Sequence, residues 1–286
     1  MSTVTNLQSC FEAEFRTAAH QAAQFVLERR LLRPWVACVL GSGLGGLAER
    51  VVHAQEIAYS EIPNFPLTHA TGHRGRLITG YLGGVPVVLM QGRSHRYEGR
   101  SQREVQFPVH VMQAMGAGLL ITTNAAGGLN SRFRAGDLMV IDSHIDLLWP
   151  RRQWPVHESR DTFRGQNPYS ADLVRKVRSI ASAKDIVLHQ GCYLGTLGPT
   201  YETRSEYRLF RWAGADAVGM STIPEVLAAR DLGMKLLAFS VITNVASTEA
   251  AMATSHAEVV ESGNQAAPAL LAIIQQLLEE ISGQPD

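Results

Sequence analysis

The sequence predicts an α/β layered fold built on a buried, largely parallel β-sheet. Two patterns carry that expectation. Short, continuously apolar runs recur along the chain, and each ends in glycines or small polar residues. Strands of that kind are buried on both faces. Between several of them lie longer stretches with apolar residues at helical spacing, and strands alternating with helices point to the layered α/β class. Size agrees, because 286 residues with 45% hydrophobic content can fill one large core.

In chain order, residues 1–30 read as an amphipathic helix, with Phe11, Phe15, Ala18, Ala22 and Phe25 at spacings of three and four. Pro34 stops it. Val36–Leu40 is the first strand and runs into glycines. Val85–Gln91 runs into Gly92-Arg93-Ser94-His95, and residues 119–123 run into Asn124-Ala125-Ala126-Gly127-Gly128. Residues 215–218 lead to Gly219-Met220-Ser221, and 236–242 lead to Thr243-Asn244. Helical patterns cover roughly 100–115, 171–183, 205–212, 224–232 and 257–281. The least patterned stretch, 147–167, reads as a long surface loop inside a single domain spanning 1–286. Ligands of such folds gather at the carboxyl ends of strands, where the small and polar residues lie here.

Charge and cysteines exclude several classes. Lys+Arg and Asp+Glu are 26 each, so the formal net charge is zero. Nucleic-acid binding through bulk charge needs a clustered basic excess, and none is present. Cys10, Cys38 and Cys192 are far apart and match neither a zinc ligand set nor a disulfide framework. Reduced thiols in a cytoplasmic protein are the plain reading, and no metal is expected. Glu12, Glu14 and Arg16 precede any long apolar run, so no signal peptide is visible. The apolar runs are also shorter than the roughly 20 residues of a membrane span.

Residues 41–46, Gly-Ser-Gly-Leu-Gly-Gly, match G-x-G-x-x-G after a strand, and Glu61 lies about where a dinucleotide site places its ribose-binding acid. An NAD-dependent oxidoreductase is therefore one reading. The same glycines also let backbone N–H groups approach any anion, and Ser42 adds a hydroxyl. A ligand-free tight turn is the third. Residues 91–99 favour the anion, because Arg93 and His95 follow a second buried strand and Arg presents a planar fork to phosphate oxygens.

Taken together, the loops 41–46, 91–99, 124–130, 198–202, 214–225 and 242–244 resemble, in order, those of the trimeric purine nucleoside phosphorylases. Ile62-Pro63-Asn64-Phe65-Pro66 and Gly72-His73-Arg74-Gly75 are similar to the same family, which also contains methylthioadenosine phosphorylase. The resemblance covers roughly residues 20–280. It implies a single domain with a central mixed, mostly parallel sheet flanked by helices on both sides. It implies a pentosyltransferase, purine-nucleoside phosphorylase, in which inorganic phosphate attacks the ribose C1′, the purine leaves and α-ribose 1-phosphate forms with inversion. It further implies a homotrimer, a place in purine salvage, and no cofactor, since phosphate is a co-substrate.

The resemblance assigns roles residue by residue. Ser42, Arg93, His95, the Ala125 N–H and Ser221 are implied as the phosphate cradle, with His73 closing over it. Tyr97 and Met220 are implied as ribose contacts, and His256 as the 5′-hydroxyl contact. Glu202 is implied as the reader of purine N1–H, and Asn244 as the partner of N7 and O6. Tyr201, Val218, Ala126 and Gly127 would wall the base. Glu202, Asn244 and His95 would carry the chemistry. Donor–acceptor reasoning favours inosine and guanosine: a carboxylate only accepts, whereas adenine N1 is itself an acceptor. The methylthioadenosine branch usually has Asp at the Asn244 position, a smaller residue for Glu202 and an apolar one for His256.

Other readings stay open. His73 and His95 can be loop histidines, His256 a helix cap, Glu202 a surface partner of Arg204, and Met220 and Val218 plain core. A nucleoside-binding protein without turnover keeps the same pocket. Glu98 reads as a structural residue holding Arg93, and His144 as a structural feature. The family's aromatic residue from a neighbouring subunit has no clean counterpart; Phe163 or Tyr169 is the candidate. Residues 245–250, which the resemblance implies are part of a lid over the base, depart from the family pattern.

Overall fold

Helix α1 (Ser2–Arg30) ends before Pro34, and its buried stripe is Ala19, Ala22, Ala23 and Val26. Those positions repeat every three to four residues, as one helical face requires. The stripe is rotated from the one expected: Phe15, Ala18 and Phe25 flank it, and Phe11 is 57% exposed. Phe15 lies edge-on to Phe107 and His110 of helix α2 (Gln102–Ala114). The computed structural model describes residues 2–30, 32–68, 73–148, 167–245 and 256–282, with the side chains of 2–10, 30 and 256–260 left aside.

Among the described residues, nine strands form one sheet: β1 (Val36–Leu40), β2 (Val52–Ala58), β3 (Arg76–Leu82), β4 (Val85–Gln91), β5 (Leu119–Gly128), β6 (Leu138–Asp146), β7 (Leu188–Gly195), β8 (Ala217–Gly219) and β9 (Lys235–Val245). Their order is β2-β3-β4-β1-β5-β8-β7-β6-β9, and β5 also pairs with β9. The sheet therefore has an open wing, β2-β3-β4-β1-β5, and a closed ring, β5-β8-β7-β6-β9. It is mixed and parallel by a small margin, as expected. Pairings β1–β4, β1–β5, β5–β9, β6–β7 and β7–β8 are parallel; β2–β3, β3–β4, β5–β8 and β6–β9 are antiparallel.

Helices cover both sides. The buried faces of α1, α2 and α5 (Ile223–Asp231) share one core with strand residues such as Val39, Val88 and Leu120. Helices α3 (Ala171–Ala183) and α6 (His256–Ser282) share the other with Cys38, Leu89 and Ile121. Alternate residues of one strand thus feed opposite cores, which explains why these strands read as unbroken apolar runs. Ser101 and Thr203 cap α2 and α4 (Arg204–Trp212) reciprocally with Glu104 and Glu206.

Four strands lack that signature and were not anticipated. β2 is exposed over its first five positions, an edge strand with little to bury. β3 carries Arg76 and Gly80 in an apolar run, β6 turns polar at Asp142, and β7 has Gly191 and Cys192 in its middle. The dinucleotide reading of residues 41–46 is corrected here. The loop enters a short 3₁₀ turn, Gly45–Arg50, and then the edge strand β2, so no long crossover helix follows it. Glu61 instead accepts a hydrogen bond from the Ala58 amide in its own turn. The expected surface loop 147–167 falls outside the described residues from 149 to 166.

Helix α6 crosses the loop after β1 at Gly263, where a Cβ would stand 2.8 Å from Gly43 Cα and 3.0 Å from Ser42 O. Alanine normally strengthens a helix by about 1 kcal/mol over glycine. Here Gly263→Ala is expected to destabilise by about 1–3 kcal/mol through overpacking against backbone. A urea midpoint that rises in the variant would show that α6 is not held against this loop.

Candidate active site

The carboxyl ends of β1, β4, β5, β8 and β9, with the loop after β7, enclose a cavity of about 520 Å³. Ser42, His73, Arg93, His95, Ala125 and Ser221 line it, and so do Tyr97 and Met220. Tyr201, Glu202, Val218, Ala126, Gly127 and Asn244 complete its wall. Residues far apart in sequence are gathered because most sit at or just past the carboxyl end of a strand of one sheet; His73 comes from the segment before β3. The side chain of His256 lies outside the described residues, and so does the expected lid from 246 onward. Sequence reading missed Asn124, Pro199, Tyr207 and Thr243, which also line the cavity.

At one end the groups suit an anion. His73 Nε2 lies 3.3 Å from Ser42 Oγ, and its Nδ1 lies 2.8 Å from the Arg93 carbonyl oxygen and 3.1 Å from the Arg93 amide nitrogen. Gly92, at φ +102°, leaves His73 its place, since a Cβ there would stand 2.6 Å from His73 Cβ. The rings of His73, His95 and Tyr97 stack in series, with centroids 5.3 and 4.7 Å apart. Burial, then the neighbouring His95, lowers the His73 pKa to about 4, so its imidazole is neutral at pH 7.

Arg93 departs from the sequence expectation. It lines the cavity but is 2% exposed, and its guanidinium faces the protein. Its Nη1 donates to Glu225 at 2.8 Å, Thr222 at 3.2 Å and Thr122 at 3.3 Å. Its Nη2 donates to the carbonyls of Val39 and Thr123. The planar fork expected to face an anion is occupied by Glu225, two threonine hydroxyls and two backbone carbonyls. Glu98 does not hold Arg93; its carboxylate accepts from the His95 amide at 2.6 Å and lies 3.1 Å from His95 Nδ1. That contact orients the ring and leaves Nε2 as its second polar atom. Glu225 closes the family-like stretch 214–225 but received no role, because an acid after Pro224 in a first helical turn reads as an ordinary dipole partner.

Thr222 is the backbone anomaly beside this network. It caps α5 at φ +72° and is 1% exposed. A threonine there is strained by roughly 1–3 kcal/mol. Hydrogen bonds from Asn124 Nδ2 at 2.9 Å and Arg93 Nη1 hold it. The strain places Ser221 at the cavity wall, and the Tyr193 hydroxyl supports it through the Ser221 carbonyl at 3.3 Å.

At the other end Glu202 accepts from Thr196 Oγ1 at 3.1 Å, and burial pushes its pKa upward. Its own backbone amide and the Tyr207 hydroxyl also favour the carboxylate; Arg204 is not among the groups that act on it. Asn244 Oδ1 accepts from Thr243 Oγ1 at 3.1 Å, which leaves its NH₂ group and a lone pair for a ligand. Tyr201 is half exposed at the mouth. Tyr169 cannot supply a side chain to a neighbouring site, because it is 2% exposed and its hydroxyl is bound to His144 Nδ1 at 3.0 Å. His144 is thereby a structural residue, and Phe163 lies outside the described residues.

Two outcomes test this geometry. Glu225→Gln leaves the buried Arg93 charge without its counter-ion and is expected to destabilise the fold by about 3–5 kcal/mol in urea; a loss below 1 kcal/mol would mean the pair is not dry. In phosphate-free protein, the His73 ring protons should titrate near pH 4 by NMR, not near 6.5. Because His73 is harder to protonate folded than unfolded, acid removes stability as pH falls through that window.

The comparisons agree with this layout. Residues 36–279 match the model of the phosphorylase superfamily. The chain is 41% identical over 273 residues to purine nucleoside phosphorylase 1 of Geobacillus stearothermophilus, covering 93% of this chain and 98% of that protein. It is 41% identical over 283 residues to the purine nucleoside phosphorylase of Rattus norvegicus, covering 94% and 97%. The crystal structure of Schistosoma mansoni purine nucleoside phosphorylase in complex with adenosine superimposes with a TM-score of 0.83 at 34% identity, covering 94% of this chain and 98% of that one. The chain belongs to the purine nucleoside phosphorylases of the phosphorylase superfamily.

Proposed function

We propose that this phosphorylase prefers 6-oxopurine nucleosides, inosine and guanosine with their 2′-deoxy forms, and serves purine salvage. The carrying observation is that Glu202 and Asn244 line one cavity with the anion-suited groups. An ionised Glu202 accepts from N1–H of a 6-oxopurine and from a 2-amino group, and would face the N1 lone pair of adenine. A site built for one hydrogen-bond pattern can reject the other by ~10⁴ or more. The adenosine bound in the Schistosoma mansoni enzyme makes that nucleoside the sharpest comparator.

In the reaction a phosphate oxygen forms the bond to C1′ while the C1′–N9 bond breaks, and the electron pair leaves with the purine. Ser42, the Ala125 N–H, Ser221, His73 and His95 hold the phosphate dianion beside the developing oxocarbenium charge. Arg93 lends its charge to that end, partly offset by Glu225. Tyr97, Met220 and His256 hold the ribose. Asn244 stabilises the departing base at N7 and O6, and Tyr201, Val218, Ala126 and Gly127 wall it. No cofactor enters, since phosphate is consumed as co-substrate. A homotrimer in the cytoplasm completes the reading. It is supported by the family and by exposed Leu147, Leu209 and Trp212, apolar surface that a neighbouring subunit would cover.

Base release from inosine, guanosine, adenosine and methylthioadenosine, each with and without phosphate, tests the proposal. Turnover should need phosphate and be fastest with inosine or guanosine; faster methylthioadenosine cleavage would overturn the preference. Asn244→Asp is expected to lower the inosine-to-adenosine ratio of kcat/KM at least tenfold, because a carboxylate accepts from a 6-amino group but repels O6. An unchanged ratio would remove Asn244 from the base site.

A further inference from the structure

Glu202 is held in an unusual way for a carboxylate in a binding cavity. None of the ion pairs among the described residues includes it. Two hydroxyls meet it instead. Thr196 lies just past β7 and donates from Oγ1 to Glu202 Oε1 at 3.1 Å. Its own backbone is pinned by the bond from its amide to the Gly219 carbonyl at 2.8 Å. Tyr207 lies in the first turn of α4 and lines the same cavity, and its phenol hydroxyl lowers the pKa of the same carboxylate. The amide of Tyr207 donates to the Thr203 carbonyl at 3.0 Å, so the capped end of α4 fixes where the phenol stands.

We propose that Thr196 and Tyr207 are positioning residues for base recognition, a two-hydroxyl clamp that keeps Glu202 in one rotamer and in its ionised, accepting form. The proposal rests on Glu202 reading the purine. Its chemical logic is that a cation at this place would compete with the purine N–H groups for the same lone pairs and would offset the charge they bind. A hydroxyl orients the carboxylate and leaves its negative charge to the base.

The surroundings make the clamp necessary. Burial favours the protonated acid, and Glu206 in the first turn of α4 pushes the same way; the backbone amide of Glu202, then Thr196 and Tyr207, oppose both. Tyr201 stands next to Glu202 in the chain, and Tyr97 and the neutral Asn244 line the cavity with it. Tyr207 itself is pushed up to about 12, first by burial and then by Glu202, so it stays a donor throughout the working range. A protonated Glu202 would present an O–H toward the N1–H it must accept. Each lost donor therefore moves the acid limb of kcat/KM for inosine to higher pH.

The test uses Thr196→Val, which keeps the shape and removes the donor, with Tyr207→Phe as a second variant should the first fail to fold. At pH 7, Thr196→Val should lower kcat/KM for inosine about tenfold, chiefly through KM, in line with losing a hydrogen bond to a charged group. Its acid limb, measured at constant phosphate, should move upward, and Thr196→Ser should restore both. A limb unmoved in Thr196→Val and Tyr207→Phe, while Glu202→Ala abolishes inosine preference, would overturn the clamp and leave the base reading intact. Unchanged inosine turnover in Glu202→Ala would overturn the base reading and the clamp with it.

Discussion

One buried ion pair ties the catalytic end of the molecule together. Arg93 extends from the end of β4 and reaches the carbonyls of Val39 on β1 and Thr123 on β5, the hydroxyls of Thr122 and Thr222, and the Glu225 carboxylate on α5. Glu225 also accepts from the Thr122 hydroxyl at 2.5 Å. Removing two charges from water is expensive, and such a pair persists only when further hydrogen bonds fill its remaining valences. Here they are filled from β1, β5 and the start of α5. The strand ends are thus kept in register at the place where the chemistry needs them.

The same network explains the strained Thr222. A positive φ at a threonine would relax if the residue were loosely held. Asn124, Arg93 and the start of α5 over-determine it, and the immediate consequence is the position of Ser221. The anion end is otherwise built from neutral parts. His73 is uncharged, Arg93 is paired with Glu225, and His95 Nδ1 lies 3.1 Å from the Glu98 carboxylate. Backbone amides, hydroxyls and ring nitrogens are left to do the holding, which suits an anion that must bind and then leave as part of a product.

Much of this was legible in the sequence, for a physical reason. Strands covered on both faces must be apolar throughout, so β1, β4, β5 and β9 announce themselves, and their polar ends mark the cavity. The edge strand β2 and the interrupted β7 have no such obligation and stayed hidden. Cavity residues such as Glu202 and Asn244 are legible through family resemblance together with donor–acceptor logic. Their supporting residues are not: nothing local distinguishes Glu225, Thr196 or Tyr207 from ordinary capping or surface positions. Their significance arises from tertiary proximity, as does the exchange of Glu98 for Glu225 as the partner of Arg93.

The double membership of β5 has a consequence for how such a protein can change. The wing strands β1 and β4 carry Ser42, Arg93 and His95, whereas the ring strands β7 and β9 lead to Glu202 and Asn244. Ala125 and Ser221 sit along the seam where β5 meets the ring. On the function proposed above, substitutions confined to the ring would alter which nucleobase is accepted while the wing keeps its hold on phosphate. The fold separates what must stay constant from what can drift, and descendants of one ancestor can diversify in base preference without rebuilding the reaction.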